Sequence, residues 1–250
     1  MLQEERYRII LAELERRGAV KVAELAEQLD LSESTVRRDI NELAAEGKLR
    51  KVFGGAVAFE RERKIKTVEE YMADKAFYCV REKESIARYA ASLIDDNDFV
   101  YIDAGTTTEY MIEYITAKDA TFVTNALSHA VGLARKGFKV YIIGGLIKSV
   151  TEAIIDSEAI ISLSKYNFTK GFFGTNGLSS DRGFTTPDVR EADIKNFAMR
   201  RCAKKFVLCD SSKFNKISKA TFAAGSDITV ITDKITENIK GYNIKEAAQL

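Results

Sequence analysis

Hydrophobic positions recur at helical spacing in three short segments near the start of the chain. In the first segment Ile10, Leu11 and Leu14 share one face, and Gly18 follows as a helix terminator. The segments predicted as helices cover residues 2–17, 23–29 and 33–46, the last with Ser32 as its N-cap. Two strands of a β-hairpin are predicted on either side of a glycine turn, at residues 48–52 and 56–59. Three helices followed by a hairpin are typical of a winged helix-turn-helix.

The third helix of this pattern has one apolar and one polar face. At 100° per residue, Val36, Ile40 and Leu43 fall together and predict the buried side. Ser34, Arg38 and Asn41 fall roughly opposite, with Arg37 on the flank, and these hydroxyl, guanidinium and amide groups suit base edges and phosphates in a major groove. Lys48, Arg50 and Lys51 begin the hairpin and predict a phosphate-binding edge. A solvated charged face of a small helical domain is the plain alternative.

A charged stretch at residues 58–66 separates this region from the rest of the chain and predicts a linker. From Thr67 to Ile94 the pattern is helical, with Ile86, Tyr89, Ala90 and Leu93 on one face. We therefore expect a DNA-binding domain at 1–60, a linker at 61–75 and a second domain at 76–250.

The second domain alternates short apolar runs with helical segments. The runs rich in Val, Ile and Phe lie at residues 99–103, 121–124, 139–143, 170–173, 206–209 and 228–231. Strands that alternate with helices predict an α/β fold, with a mainly parallel sheet covered on both faces. Ligands of such sheets bind at the carboxyl ends of the strands.

Polar clusters follow several of these strands. After the first strand, Asp103 and Gly105 lead into Thr106, Thr107 and Thr108 at a predicted helix N-terminus, where amides and hydroxyls suit a phosphate. A threonine-rich helix cap is the plain alternative. The turn is neither a Walker A loop nor G-x-G-x-x-G, so a nucleotide is not indicated.

The remaining strand exits carry polar residues or glycines that extend the candidate phosphate site. They are Asn125, Gly144, Gly145, Lys148, Glu191, Lys195, Asp210 and Lys213. Glu191 and Lys195 are four apart on one helix, and a surface ion pair would explain them equally well. The one histidine, His129, is expected in a helix surface or core rather than as a proton shuttle.

Composition narrows the class of protein. With 250 residues, 46% hydrophobic and 30% charged, the chain is neither disordered nor fibrous. Three scattered cysteines without a C-x-x-C pair, together with one histidine, indicate reduced thiols and neither a metal site nor a disulfide framework. The charged N-terminus lacks a signal-peptide pattern and no stretch approaches a membrane span, so we expect a cytoplasmic protein without a membrane partner or cofactor.

The net charge of +1 argues against binding a polyanion until its distribution is considered. Residues 1–66 hold 14 basic and 13 acidic side chains, a difference of +1, yet five cations gather on the predicted DNA-facing edge. Near-neutrality therefore predicts modest non-specific affinity rather than no affinity.

Two sequence segments closely resemble the DeoR family of bacterial transcriptional regulators. They are Ser32-Glu-Ser-Thr-Val-Arg-Arg-Asp-Ile40 and Leu49-Arg-Lys-Val-Phe-Gly-Gly-Ala56, with Phe53 where family members often carry histidine. The strand exits resemble the sensor domain of the same family, which is similar in fold to ribose-5-phosphate isomerase and glucosamine-6-phosphate deaminase. The run Tyr101-Ile-Asp-Ala-Gly-Thr-Thr-Thr108, with Thr185-Thr186-Pro187-Asp188, is most similar to the fructose-operon repressors. That resemblance implies fructose 1-phosphate as inducer. The lactose-phosphotransferase repressors, with tagatose 6-phosphate implied, are a close alternative.

These patterns together predict a repressor that binds double-stranded operator DNA as a homo-oligomer, dimer or tetramer, and responds to a phosphorylated sugar. The candidate DNA-binding residues are Ser32, Ser34, Thr35, Arg37, Arg38, Asn41, Lys48, Arg50, Lys51, Gly54 and Gly55. No catalytic residue is assigned. The rival class is a working sugar-phosphate isomerase or deaminase, for which Asp103, Glu191 and Asp210 would supply carboxylates, but an enzyme has no use for a DNA-binding domain.

Overall fold

The computed structural model describes residues 3–58, 71–72, 75, 77–235, 239 and 241–247. The chain divides into two compact units, Met1–Lys64 and Ile65–Leu250. The predicted linker at 61–75 lies largely outside the described residues.

The first unit holds three helices and a small antiparallel sheet. Its elements are α1 (Gln3–Arg17), β1 (Ala19–Lys21), α2 (Val22–Leu29), α3 (Glu33–Ala45), β2 (Leu49–Val52) and β3 (Gly55–Ala58). Gly18, at φ +72°, ends α1. The sheet order is β1-β3-β2, so the short segment at 19–21 becomes the third strand of the wing. Ile10, Leu25, Val36, Ile40 and Leu43 are fully buried between the helices, as the spacing predicts.

The second unit is built on a parallel sheet with helices on both faces. Its helices are α4 (Val80–Ala91), α5 (Thr106–Tyr114), α6 (Leu127–Arg135), α7 (Ser157–Leu163) and α8 (Val189–Arg200). Among the described residues, seven strands pair in parallel in the order β15-β14-β12-β9-β4-β5-β6. Their bounds are β4 (Phe99–Ile102), β5 (Thr121–Thr124), β6 (Lys139–Ile142), β9 (Phe168–Gly174), β12 (Cys202–Leu208), β14 (Ile228–Thr232) and β15 (Asn243–Glu246).

The central strand β4 shows how this sheet separates two cores. Tyr101 lies on the face of the sheet that α7 and α8 cover. Val100 and Ile102 lie on the opposite face, which α4, α5 and α6 cover. Successive strand residues point to opposite faces, so a continuous apolar run is what a sheet covered on both sides requires. The predicted α/β class is confirmed.

Several short strands lie outside the central sheet and were not predicted. They are β7 (Leu146–Lys148) paired with β8 (Ala153–Ile155), and β10 (Gly177–Ser179), β11 (Gly183–Thr186) and β13 (Ala220–Ala223) in a second antiparallel sheet. At three to four residues each, they are too short to show a clear period in the sequence.

The predicted helix over residues 67–94 is corrected by the structure. Cys79 adopts a left-handed backbone conformation at φ 52°, and α4 begins only at Val80. Residues 67–70 lie outside the described part of the chain. Apolar spacing carries no signal for one left-handed residue, so the pattern places the helix start too early.

Candidate functional site

The recognition face of α3 is the exposed polar side of this helix, formed by Ser34, Arg37, Arg38 and Asn41. All four are exposed, whereas Val36 behind them is fully buried. The Oγ atom of Ser32 accepts a hydrogen bond from the Thr35 amide at 3.3 Å and lies 2.8 Å from Ser34 Oγ. Hydroxyls thus gather at the start of α3, where the positive end of the helix dipole favours an anion.

Two of the predicted DNA-binding cations pair with neighbouring acids. Arg37 lies 2.8 Å from Glu33, and Lys48 lies 2.7 Å from Glu46. All four side chains are at least half exposed, and such pairs contribute about 0–1 kcal/mol. A phosphate can therefore replace either carboxylate. Arg38, Arg50 and Lys51 are also exposed.

The two predicted wing glycines have different roles. Gly54 is exposed and occupies the β2–β3 turn at φ +78°. Gly55 is buried in β3, where a Cβ atom would lie 2.1 Å from the carbonyl oxygen of Val20. This position therefore serves the close approach of β1 and β3, and the DNA contact of Gly55 stays a prediction. The tip of the turn instead presents Phe53, whose side chain is fully exposed.

A cavity of about 310 Å³ opens at the carboxyl ends of β4 and β9 in the second unit. The chain crosses from one side of β4 to the other at this point, since β5 and β6 lie on one side and β9, β12 and β14 on the other. Ligands of open α/β sheets bind at such a switch point. Seven predicted effector residues line the cavity, namely Gly105, Thr106, Thr107, Glu191, Lys195, Asp210 and Lys213.

The N-terminus of α5 forms one wall of this cavity. Gly105 is the N-cap residue, and Thr106 and Thr107 supply the amides of the first turn, which have no acceptor within the helix. Thr108 is turned inward instead, and its Oγ1 donates to the carbonyl oxygens of Asp103 at 2.7 Å and of Gly105 at 2.8 Å. The turn therefore lines the cavity with Thr108 stabilising it from behind, and its binding of an anion stays a prediction.

His129 supports the same turn from the core. It is fully buried, and its Nε2 lies 3.2 Å from the carbonyl oxygen of Gly105. Burial lowers the pKa of His129 to about 4, so the ring is neutral at neutral pH and donates its Nε2 proton to that carbonyl. Of the helix surface and the core, the two positions expected for this residue, the structure shows the core.

A buried ion pair lies beneath the cavity. Lys195 Nζ donates to Asp103 Oδ2 and, at 3.2 Å, to the Gly174 carbonyl, while the Gly174 amide donates to the same carboxylate oxygen at 3.0 Å. Burial raises the pKa of Asp103, and the charge of Lys195 opposes that rise. Asp103 itself does not line the cavity. Its contribution is to fix Lys195, which does.

Glu191 is held by partners other than Lys195. It accepts from Thr151 Oγ1 at 2.6 Å and from Lys148 Nζ at 3.2 Å. Lys148 also lies 2.9 Å from Asp188, which caps α8. The surface ion pair offered as an explanation for Glu191 and Lys195 is therefore wrong, because both are buried and each pairs elsewhere. Lys148 positions Glu191 from outside the cavity lining.

Besides Asp103, Thr108 and Lys148, three more predicted effector residues lie outside the cavity lining, namely Asn125, Gly144 and Gly145. Asn125 accepts from the Ala104 amide at 2.9 Å and holds the β4 exit in place. The Gly144 amide donates to Ser162 Oγ at 3.2 Å. At Gly145, a Cβ atom would lie 2.7 Å from the Ile155 carbonyl oxygen, so this glycine permits the approach of β8.

Sequence reasoning missed several cavity lysines. Lys75, Lys83 and Lys216 join Lys195 and Lys213 in the lining. Lys83 is nearly fully buried on α4, and its Nζ donates to the carbonyl oxygen of Lys75. Burial lowers the pKa of Lys83, while the Asp210 carboxylate opposes the fall. Lys83 precedes Ile86 by three residues and Ala87 by four, so it lies on the apolar face of α4. A lysine on the apolar face of a predicted helix is the sequence signal that could have identified it.

The lining is therefore rich in cations. The lysines named above and the first turn of α5 face two lining carboxylates, Glu191 and Asp210. Such a site favours an anion, and the carboxylates suit hydroxyl groups on the same molecule. In the described part of the chain, every helix is too short or too polar to cross a bilayer.

Comparisons with known proteins give relatives for both units of the chain. Residues 6–62 match the DeoR-like helix-turn-helix domain, and residues 78–234 match the DeoR C terminal sensor domain. An uncharacterized HTH-type transcriptional regulator, FruR, from Bacillus subtilis (strain 168) is 40% identical, with 95% of this chain and 93% of that protein covered. A lactose phosphotransferase system repressor from Streptococcus mutans is 34% identical over 93% of both chains. Among solved structures, ribose 5-phosphate isomerase from Plasmodium falciparum has a TM-score of 0.40 and 14% identity, covering 53% of this chain and 52% of that one.

A winged helix-turn-helix with an exposed basic face, followed by an α/β unit, defines a DNA-binding transcriptional regulator. The two family domains that match this chain together cover most of its length, so the protein belongs to that class of regulators. The chain belongs to the DeoR family. It is a DeoR-type DNA-binding transcriptional repressor.

Proposed function

We propose that this repressor controls a sugar-utilisation operon and leaves its operator when a phosphorylated sugar binds the second unit. The recognition face of α3 and the cations of the wing bind the operator. The cavity at the ends of β4 and β9 binds the sugar phosphate. The observation that carries this proposal is the group of lysines that line the same cavity as the first turn of α5.

The chemistry of the cavity fits a phosphate ester better than a neutral sugar. A phosphate monoester carries close to two negative charges and accepts charge-assisted hydrogen bonds from ammonium groups and helix amides. Lys213 and Lys83 supply ammonium groups, and Thr106 and Thr107 supply amides and hydroxyls. Glu191 accepts hydrogen bonds from sugar hydroxyls. A cavity of about 310 Å³ lies within the range of small-molecule sites.

Fructose 1-phosphate is the first candidate for the effector. The FruR regulator from Bacillus subtilis has the higher identity of the two relatives, at 40%, against 34% for the lactose phosphotransferase system repressor. Tagatose 6-phosphate is the second candidate on the same grounds. Both are ketohexose monophosphates, so the cavity chemistry accommodates either.

The repressor acts as a homo-oligomer. A single recognition face offers few phosphate contacts, and a symmetric assembly on repeated half-sites multiplies them. A sugar phosphate releases DNA only if it binds more tightly to an arrangement with the wrong spacing between two recognition helices.

Isothermal titration calorimetry tests the ligand class. Fructose 1-phosphate, tagatose 6-phosphate, fructose 1,6-bisphosphate, fructose and inorganic phosphate are titrated separately into the full chain. We expect at least one sugar phosphate to bind, with fructose unable to do so. Lys213→Met weakens this binding roughly tenfold, the loss of one charge-assisted hydrogen bond. Lys219→Met, an exposed lysine outside the cavity, is the matched control and leaves it unchanged. Binding of fructose as tight as that of its phosphates refutes the proposed phosphate site.

A further inference from the structure

Two carboxylates of α3 point toward α1 instead of toward solvent. Asp39 is fully buried and accepts from Arg6, at 2.7 Å from Nε to Oδ2 and 2.9 Å from Nη2 to Oδ1. One turn further along, Glu42 Oε2 accepts from Gln3 Nε2 at 2.6 Å and from the Tyr7 hydroxyl. Gln3 Nε2 also lies 2.8 Å from the Tyr7 hydroxyl oxygen. The first two turns of α1 thus hold both acids.

The position of Glu42 around the helix makes this contact important for DNA binding. At 100° per residue, Glu42 lies about 40° from Arg38, whereas Asp39 lies about 100° away. Glu42 is therefore on the border of the recognition face. A carboxylate free to swing toward that face would lie beside phosphates and repel them.

We propose that Tyr7 and Gln3 are positioning residues for DNA binding that hold the Glu42 carboxylate on α1, away from the DNA phosphates. The Arg6–Asp39 pair fixes the rotation of α3 independently, through a bidentate contact that does not involve Glu42. Loss of the Tyr7 hydroxyl therefore removes one of the two donors that hold Glu42, and loosens the carboxylate while α3 keeps its orientation. This inference rests on the proposed recognition face of α3.

The protonation state of Tyr7 agrees with its part in this contact. Burial raises the pKa of Tyr7 to about 12, and the Glu42 carboxylate adds to the rise. The phenol therefore keeps its proton throughout the physiological range and donates it to Glu42. Arg6, which pairs with Asp39, is a charged group that α1 presents to α3.

A double-mutant cycle on operator affinity tests the proposal. The probe is a fluorescent duplex enriched by the wild-type protein from a randomised pool, and fluorescence anisotropy measures its Kd. Tyr7→Phe keeps the ring and removes the hydroxyl, and we expect it to weaken binding about fivefold at low salt, the effect of one like charge near a phosphate in water. When Glu42→Gln is added to Tyr7→Phe, we expect the double variant to bind with the same Kd as Glu42→Gln alone. The Tyr7→Phe effect shrinks as salt rises, because exposed charges are screened.

Two control variants separate the possible failures. Tyr89→Phe, in the second unit, leaves the Kd unchanged. Arg38→Ala weakens binding if the recognition face is assigned correctly. An unaffected Kd in Arg38→Ala refutes that face. A weakened Arg38→Ala together with a Tyr7→Phe loss that Glu42→Gln does not restore refutes only the role of Tyr7.

A milder variant covers the case in which Tyr7→Phe fails to fold. Gln3 is exposed, and Gln3→Ala removes one of the two donors to Glu42. We expect a smaller loss of affinity, again restored by Glu42→Gln. Thermal unfolding of each variant establishes that it is folded. A folded Gln3→Ala or Tyr7→Phe with wild-type affinity overturns the proposal.

Discussion

Protonation of His129 makes the second unit less stable in mild acid. In the unfolded chain its pKa is near the ordinary 6.5, whereas burial lowers the pKa in the folded protein to about 4. Between these two values the unfolded chain binds a proton that the folded chain does not. The free energy of unfolding therefore falls as the pH drops from 6.5 toward 4. The two pKa values correspond to a loss of about 2 kcal/mol between pH 7 and pH 5.

Urea unfolding at pH 7 and pH 5 measures this loss, and the variant His129→Asn isolates it. Carboxylates also begin to bind protons near pH 5, and Asp103 does so more readily when folded, because burial raises its pKa. The carboxylates contribute equally in the wild type and in His129→Asn. The difference between the two chains in how the free energy of unfolding changes with pH is therefore due to the histidine. Since the chain has one histidine, its ring gives a single NMR titration that checks the folded pKa directly. A midpoint near 6.5 in the folded protein, or equal pH dependence in both chains, refutes the buried neutral ring.

Three further predictions follow from the packing and the wing. Gly55→Ala places a methyl group against the Val20 carbonyl and should lower the stability of the first unit by at least about 2 kcal/mol, measured by urea unfolding of the full chain. Phe53→Ala should weaken operator binding without changing the melting temperature, because the side chain is fully exposed; unchanged affinity would show that the wing tip makes no contact. Lys51→Ala should reduce the slope of log Kd against log salt by about one, the loss of a single phosphate contact, and an unchanged slope would place Lys51 off the DNA.

The sequence predicts elements well where one period repeats over several turns or strands. The buried stripe of α3 and the Ser32 cap follow from spacing and local hydrogen bonding, which act within a few residues. The six predicted strands all enter one parallel sheet. The short strands β7, β8, β10, β11 and β13 and the left-handed Cys79 depend on tertiary contacts, and they were missed or misplaced.

In the candidate site, too, the local features were predicted from the sequence and those that depend on tertiary contacts were not. The turn at Gly105–Thr107 is local to one strand exit, and it lines the cavity as predicted. Lys83 comes from a helix outside the strand exits, and only the folded chain brings it to the cavity. Glu191 and Lys195 were recognised by type, but their partners Thr151 and Asp103 lie 40 and 92 residues away along the chain. Spacing alone cannot show such pairs.

Release of operator DNA by a sugar phosphate is the most direct test of the central claim. The complex of the full chain with the enriched duplex is titrated with fructose 1-phosphate and, in parallel, tagatose 6-phosphate, while anisotropy is recorded. We predict that one of them dissociates the wild-type complex, and that Lys83→Met needs at least roughly tenfold more ligand for the same release. A complex that stays intact at saturating concentrations of both esters, or a Lys83→Met variant that responds at the wild-type concentration, would contradict the account.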